Sequence, residues 1–250
     1  MKGLNRSHLA LGLLLIGGVC GMAVKASAQD ASLIITAHVF NYAGVNSKTL
    51  ADSEKFATDV FHISGVEIRW VTVQTPAAQK EFDPKSFDLD HVRVNILPKK
   101  VAEQIGLSAD AAGFTPGAGM NRQLTYVLYD KVESLAENPA YIAIKGPQFY
   151  HVTKSVILGM AIAHEIGHML LNLESHSPTG IMRAHWSMDD LLEASYGNLA
   201  FTTQQAVSVR ADVARRMGAV RGSSNNTSAV PADSGTATSG FAIAAQGHDK

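Results

Sequence analysis

Stretches of β-branched or alternating residues are interleaved along this chain with stretches whose apolar positions recur at helical spacing. Ser32 to Val39 (SLIITAHV) predicts a strand, closed by the turn-forming Asn41-Tyr42-Ala43-Gly44. In Thr49 to Ile63, Leu50, Phe56, Ala57, Val60 and Phe61 share one helical face, and Gly65 marks the stop. Val66 to Val73 (VEIRWVTV) and His91 to Leu97 (HVRVNIL) alternate apolar and polar residues and predict two more strands, the second closed by Pro98. Val101 to Leu107 predicts a short helix, Gly113 to Gly117 a loop, and Leu124 to Tyr129 (LTYVLY) a fourth strand. From Val152 to Leu171 the pattern is helical. Beyond a loop at Glu174 to Gly180, two capping boxes, Ser187 with Asp190 and Thr202 with Gln205, start further helices, the last running to about Met217. The order of elements predicts a single α/β domain of the α+β kind.

The two ends of the chain change this picture. Residues 1–28 combine a basic start (Lys2, Arg6), an apolar run from Leu9 to Val19 and the small-residue signature Ala26-Ser27-Ala28, which reads as a cleaved secretory signal. The run is too short to span a bilayer, which takes about 20 apolar residues, so no stable membrane insertion is expected after cleavage. A secreted or periplasmic location follows. The folded domain is then expected over residues 29–218, with a low-complexity, disordered tail over 219–250 (GSSNNTSAVPADSGTATSG within it). The one cysteine, Cys20, lies inside the signal, so the mature chain has no thiol for a disulfide, a metal or a nucleophile. A formal net charge of −1 provides no basic field for a phosphate backbone, and nucleic acid is not an expected partner.

The chemistry lies in MAIAHEIGHMLLNLESHSPTGIM, residues 160 to 182. In HEIGH, His164 and His168 are four positions apart, one helical turn on one face, where two imidazoles reach one ion. Glu165 follows the first histidine, placed to reach a metal-activated water rather than the metal. Zinc polarises such a water and the glutamate takes its proton as the oxygen attacks a carbonyl. The rest of the helix, Ile162, Ala163, Ile166, Met169, Leu170 and Leu171, suits burial under a sheet. A tetrahedral Zn²⁺ still requires a third protein ligand. Glu174, His176 and, further off, His185 are the candidates.

These residues resemble the metzincin clan of zinc endopeptidases, whose motif is H-E-x-x-H-x-x-G-x-x-H followed by a methionine-containing turn. The family glycine would fall at Leu171 and the family histidine at Glu174, and neither matches. That glycine ends the helix in a left-handed conformation, a role for which asparagine is the next best residue, and Asn172 sits one place later. If helix and loop each run one residue longer, the resemblance implies His176 as third ligand, with Glu174 as the alternative. Ser177-Pro178-Thr179-Gly180 then makes the turn, and Met182 in Gly180-Ile181-Met182 takes the place of the family methionine beneath the metal. The implied fold is a mixed twisted sheet packed on the active-site helix, with C-terminal helices.

The resemblance implies a zinc-dependent metalloendopeptidase acting on a peptide or protein substrate. The spacing by itself supports metal-assisted hydrolysis in general, so a hydrolase of a non-peptide or cell-wall amide, or a non-catalytic binding protein stabilised by zinc, stand as alternatives. His185 is expected at the surface or beside the ligands. His38, His62, His91 and His151 lack ligand spacing, and Tyr126 and Tyr129 belong to strand packing or to the cleft wall.

Overall fold

The computed structural model describes residues 32–73, 88–108, 111–116, 123–145, 147, 151–171 and 176–227. The expected signal (residues 1–28), most of the expected tail, and the loop residues Asn172 and Glu174 lie outside the described residues.

Four parallel strands and one short antiparallel edge strand form the sheet. β1 (Ile34–Asn41), β2 (Glu67–Val73), β3 (His91–Leu97), β4 (Gly113–Phe114) and β5 (Leu124–Leu128) lie in the order β2-β1-β3-β5-β4, and only the β4–β5 pair is antiparallel. Among the described residues, seven helices accompany them: α1 (Ser47–Ile63), α2 (Lys99–Gln104), α3 (Tyr129–Ala136), α4 (Pro139–Lys145), α5 (Lys154–Leu170), α6 (Met188–Ser195) and α7 (Thr203–Thr227). The expected α+β class is therefore borne out.

Side chains alternate across each strand, so Ile35, Ala37, Val39, Val92, Val94, Ile96 and Val127 share one fully buried face. α1 and α5 cover that face. α1 starts where the Asn46 side chain accepts from Thr49 N–H at 2.9 Å, an ordinary N-cap. α5 is capped by Thr153 and is apolar nearly all round, which is why every residue from Ile157 to Gly167 is buried. Its Gly159 lets the two helices touch: a Cβ there would lie 2.7 Å from the Ser53 carbonyl oxygen and 2.8 Å from Phe56 Cβ.

Three local expectations are corrected. Gly113 and Phe114, read as loop, pair with Val127 and Tyr126 as β4, because two residues are too few to show a period. Tyr129 leaves the predicted fourth strand and opens α3, and α3 and α4 both lie where no helix was expected. α7 continues to Thr227 rather than stopping near Met217. Both capping boxes form. In the second, Thr202 N–H donates to Gln205 Oε1 (3.1 Å) and Gln205 N–H to Thr202 Oγ1 (3.3 Å).

α7 is tied to the rest of the domain by a fully buried guanidinium. Arg216 donates from Nε to Asp212 Oδ2 (2.5 Å), from one terminal nitrogen to the Leu89 carbonyl (3.0 Å) and from the other to the Met169 carbonyl (2.8 Å). Among the described residues, no helix is long and apolar enough to cross a membrane.

Candidate metal centre

Helix α5 places His164 and His168 one turn apart, and the loop after it brings His176 against them. Ring centroids are 4.6 Å apart for His164–His168, 4.8 Å for His168–His176 and 5.4 Å for His164–His176. One nitrogen from each ring lies within 4.8 Å of the others, and the Nε2 atoms of His164 and His168 are 3.0 Å apart. Tetrahedral coordination at about 2.05 Å separates two imidazole nitrogens by roughly 3.3 Å, so the three converge closely enough to hold a metal ion.

His164 is oriented from behind. His164 Nδ1 donates to the Ile181 carbonyl at 2.8 Å, which fixes the tautomer and turns the Nε2 lone pair towards the other two rings. Trp186 Nε1 donates to the same carbonyl at 3.2 Å, and its ring meets His164 edge-on at 5.4 Å. Burial is the main reason the His164 imidazolium is disfavoured, and the His176 ring adds to it; together they lower its pKa to about 4 against the opposing bond to Ile181. The ring is neutral at pH 7, as a ligand must be.

The loop that carries His176 is held at several points. Gly180 takes φ 78°, and a Cβ there would lie 2.6 Å from the Ala200 carbonyl oxygen. Ile181 N–H donates to that carbonyl (2.9 Å), Ser177 N–H to the Met182 carbonyl (2.9 Å), and Gln205 Nε2 to Ser177 Oγ (3.1 Å). Met182 is fully buried, and its sulfur would lie 2.5 Å from a Cβ on Gly167, so the glycine of HEIGH is what lets the methionine reach the helix backbone between the two ligand turns.

Glu165 lies beside the three histidines, between α5 and the edge of the sheet, against Gly113 and Thr115. It is only 5% exposed. Thr115 Oγ1 donates to its Oε2 at 2.7 Å, and Thr125 Oγ1 lies 3.3 Å from the same oxygen. Burial raises its pKa to about 7, against the two hydroxyl bonds, which lower it. A carboxyl poised near neutrality is suited to taking and returning a proton.

His164, Glu165, His168 and His176 open on one cavity of about 750 Å³, whose walls include Phe114, Lys131, Arg183, His185 and Trp186. Arg183 is paired with Asp190 at 2.9 Å. Thus the four residues picked from the motif meet in space. His185 is exposed on the cavity wall, whereas Tyr126 packs with Leu97, Ala102 and Leu128, and Tyr129 packs on the main core. His38 and His91 pair with each other at 3.1 Å, and His62 and His151 are exposed. Sequence reasoning missed Thr115, Thr125 and Trp186, and the only signal for the last was a large aromatic within five residues of Ile181.

Replacement of His176 by alanine is expected to weaken metal binding by more than about 100-fold, beyond the roughly 10–100-fold typical of outer-shell partners, while Glu174→Ala leaves it nearly unchanged. Chelator competition on the two variants checks this, and the reverse ranking would move the third ligand to Glu174.

No model of a known protein family matches this chain, and no curated protein sequence is significantly similar to it.

Proposed function

We propose that the protein is an exported, metzincin-like zinc metalloendopeptidase in which His164, His168 and His176 hold Zn²⁺ and Glu165 is the general base. The observation that carries this reading is the convergence of three imidazoles and a buried carboxyl, its pKa near 7, on one cavity at the edge of a sheet. When bound, zinc supplies Lewis-acid chemistry, acidifying a water and polarising the carbonyl under attack.

The chain's own residues supply the remainder. Among the described residues β4 is the edge strand and pairs only with β5, so its outer side offers main-chain groups to an extended peptide laid along the cleft. Such pairing brings a scissile bond in register with the histidines. Glu165 takes a proton from the attacking water and hands it to the leaving amide nitrogen. A site whose only duty was to stabilise the fold would have no use for a carboxyl buried beside it at a cost in solvation.

The test is elemental analysis of the mature protein, residues 29–250, with cleavage of a mixed peptide library assayed on the same sample with and without chelator. About one zinc per chain and chelator-sensitive cleavage are expected. Zinc without cleavage would favour a non-peptide amide as substrate. No zinc under metal-replete conditions would sink the proposal.

A further inference from the structure

We propose that Thr115 and Thr125 are positioning residues that hold one oxygen of the Glu165 carboxylate, so that the other is presented to the cleft before substrate arrives. The inference rests on Glu165 being the general base, and it concerns how that base is aimed.

The two threonines come from different places. Thr125 is on β5, fully buried, on the same face of the strand as Val127. Thr115 follows β4 directly. Their hydroxyl oxygens are 2.8 Å apart. Each hydroxyl has one proton to give, and four contacts to three acceptors are in reach. Glu165 Oε2 lies 2.7 Å from Thr115, the Glu165 carbonyl 3.1 Å from Thr115, the Phe114 carbonyl 3.1 Å from Thr125, and Glu165 Oε2 3.3 Å from Thr125. The 2.7 Å contact has the length of a charge-assisted O–H···O⁻ bond and takes the Thr115 proton. Thr125 then donates to Oε2 itself, to the Thr115 oxygen or to the Phe114 carbonyl; the first holds the carboxylate directly and the second holds the Thr115 hydroxyl that does so.

The opposite side of the carboxylate is bounded by an absence of atoms. A Cβ on Gly113 would sit 2.5 Å from both Cγ and Oε1 of Glu165. The side chain therefore lies flat against the backbone of the edge strand, with Oε2 taken by hydroxyls and Oε1 left towards the strand along which a peptide would bind. Freezing a long glutamate side chain costs rotamer entropy. Meeting that cost within the fold, rather than at each turnover, is what a supporting shell contributes to an active site.

A purely structural explanation also exists: a buried carboxyl must be hydrogen-bonded somewhere, and two threonines satisfy it. The two roles separate by experiment. Valine has the shape of threonine without the hydroxyl, so Thr115→Val, Thr125→Val and the double variant are compared with the native protein and with Thr115→Ser and Thr125→Ser. Metal content and KM are expected to stay unchanged, with kcat falling on the order of 10- to 100-fold in the double variant and the serine variants recovering most of it. A high-resolution crystal structure of the double variant should show the Glu165 carboxylate displaced or split between rotamers.

Glu165→Gln is measured in parallel. If it abolishes hydrolysis while the double valine variant keeps native kcat and an unmoved carboxylate, the positioning role is wrong and the base remains. If Glu165→Gln leaves hydrolysis intact, the general-base reading falls and takes this inference with it.

Discussion

Glu165→Gln is expected to retain zinc and the native fold while hydrolysis falls about 10²–10⁴-fold, the usual contribution of a general base. Glutamine keeps the size of the side chain and can still accept the Thr115 hydroxyl proton, so neither the cavity nor the packing against Gly113 need change. What it cannot do is take a proton. Steady-state cleavage of a peptide identified from the library, on samples matched for metal content, checks this, and unchanged turnover would remove Glu165 from the mechanism. The substitution has a second signature in metal-free protein. Burial raises the Glu165 carboxyl from 4.5 to about 7, so between those values the folded state holds a proton that the unfolded chain has released. The stability this represents is intact below about pH 4.5 and is lost as pH rises through about 7. Glutamine does not titrate. Thermal melts should therefore favour the variant increasingly from pH 5 to pH 8, and a difference independent of pH would contradict the burial argument.

Arg216→Ala is expected to destabilise the domain by about 3–5 kcal/mol, the range for breaking a buried pair by removing one partner. Three acceptors lose their donor at once: the Asp212 carboxylate, the Leu89 carbonyl ahead of β3, and the Met169 carbonyl in the last turn of α5. Asp212 keeps Arg215 beside it, so it is not left wholly uncompensated, and for that reason the middle of the range is the better expectation. Asp212→Ala should cost a comparable amount, because a guanidinium at 0% exposure would lose the carboxylate that its Nε donates to. For a domain of this length, each kcal/mol shifts Tm by roughly 2–4 °C, so both variants should melt lower by about 6–20 °C in a calorimeter. A loss under about 1 kcal/mol would mean that the Arg216 network is matched by hydration in the unfolded chain and does not fasten α7.

These two expectations differ in how far the sequence foretold them. Glu165 announces itself, because H-E-x-x-H is local: little more than one turn of hydrogen-bonded backbone carries the geometry, and sequence spacing maps directly onto distance. The same holds for the capping boxes at Ser187 and Thr202, and for the apolar stripe that buries α5. Arg216 and Asp212 look like an exposed i,i+4 pair on a polar helix, and nothing within α7 says that the face carrying them turns inward against residues 47 and 127 positions away. Thr115 and Thr125 are equally silent, since threonine is an ordinary strand residue and the carboxyl it meets is 50 and 40 positions along the chain. β4 fails for a different reason. Its two residues gain strand character only by pairing with β5, and no period can be read from two positions. His176 is intermediate. Its approach to His164 and His168 depends on a turn that Gly180 and Ala200 set from the far side of the loop, so the motif could name the third ligand only by analogy with a family pattern that it does not fully match.

The missing methyl groups at Gly113, Gly159 and Gly167 provide a way to recognise this architecture in other chains. At each of the three, the smallest side chain would meet heavy atoms at 2.5–2.8 Å: a glutamate at the first, the neighbouring helix at the second and a methionine sulfur at the third. None of these collisions depends on how the surface of the domain diverges. A distant homologue that preserves the site should therefore keep Gly-x-Thr before a buried strand threonine, a glycine five residues ahead of the first histidine, and specifically His-Glu-x-Gly-His with a Gly-x-Met downstream, even after overall similarity has faded. That string of small residues and imidazoles is a more selective fingerprint than the zinc motif alone, because each position in it answers to a separate steric or chemical constraint.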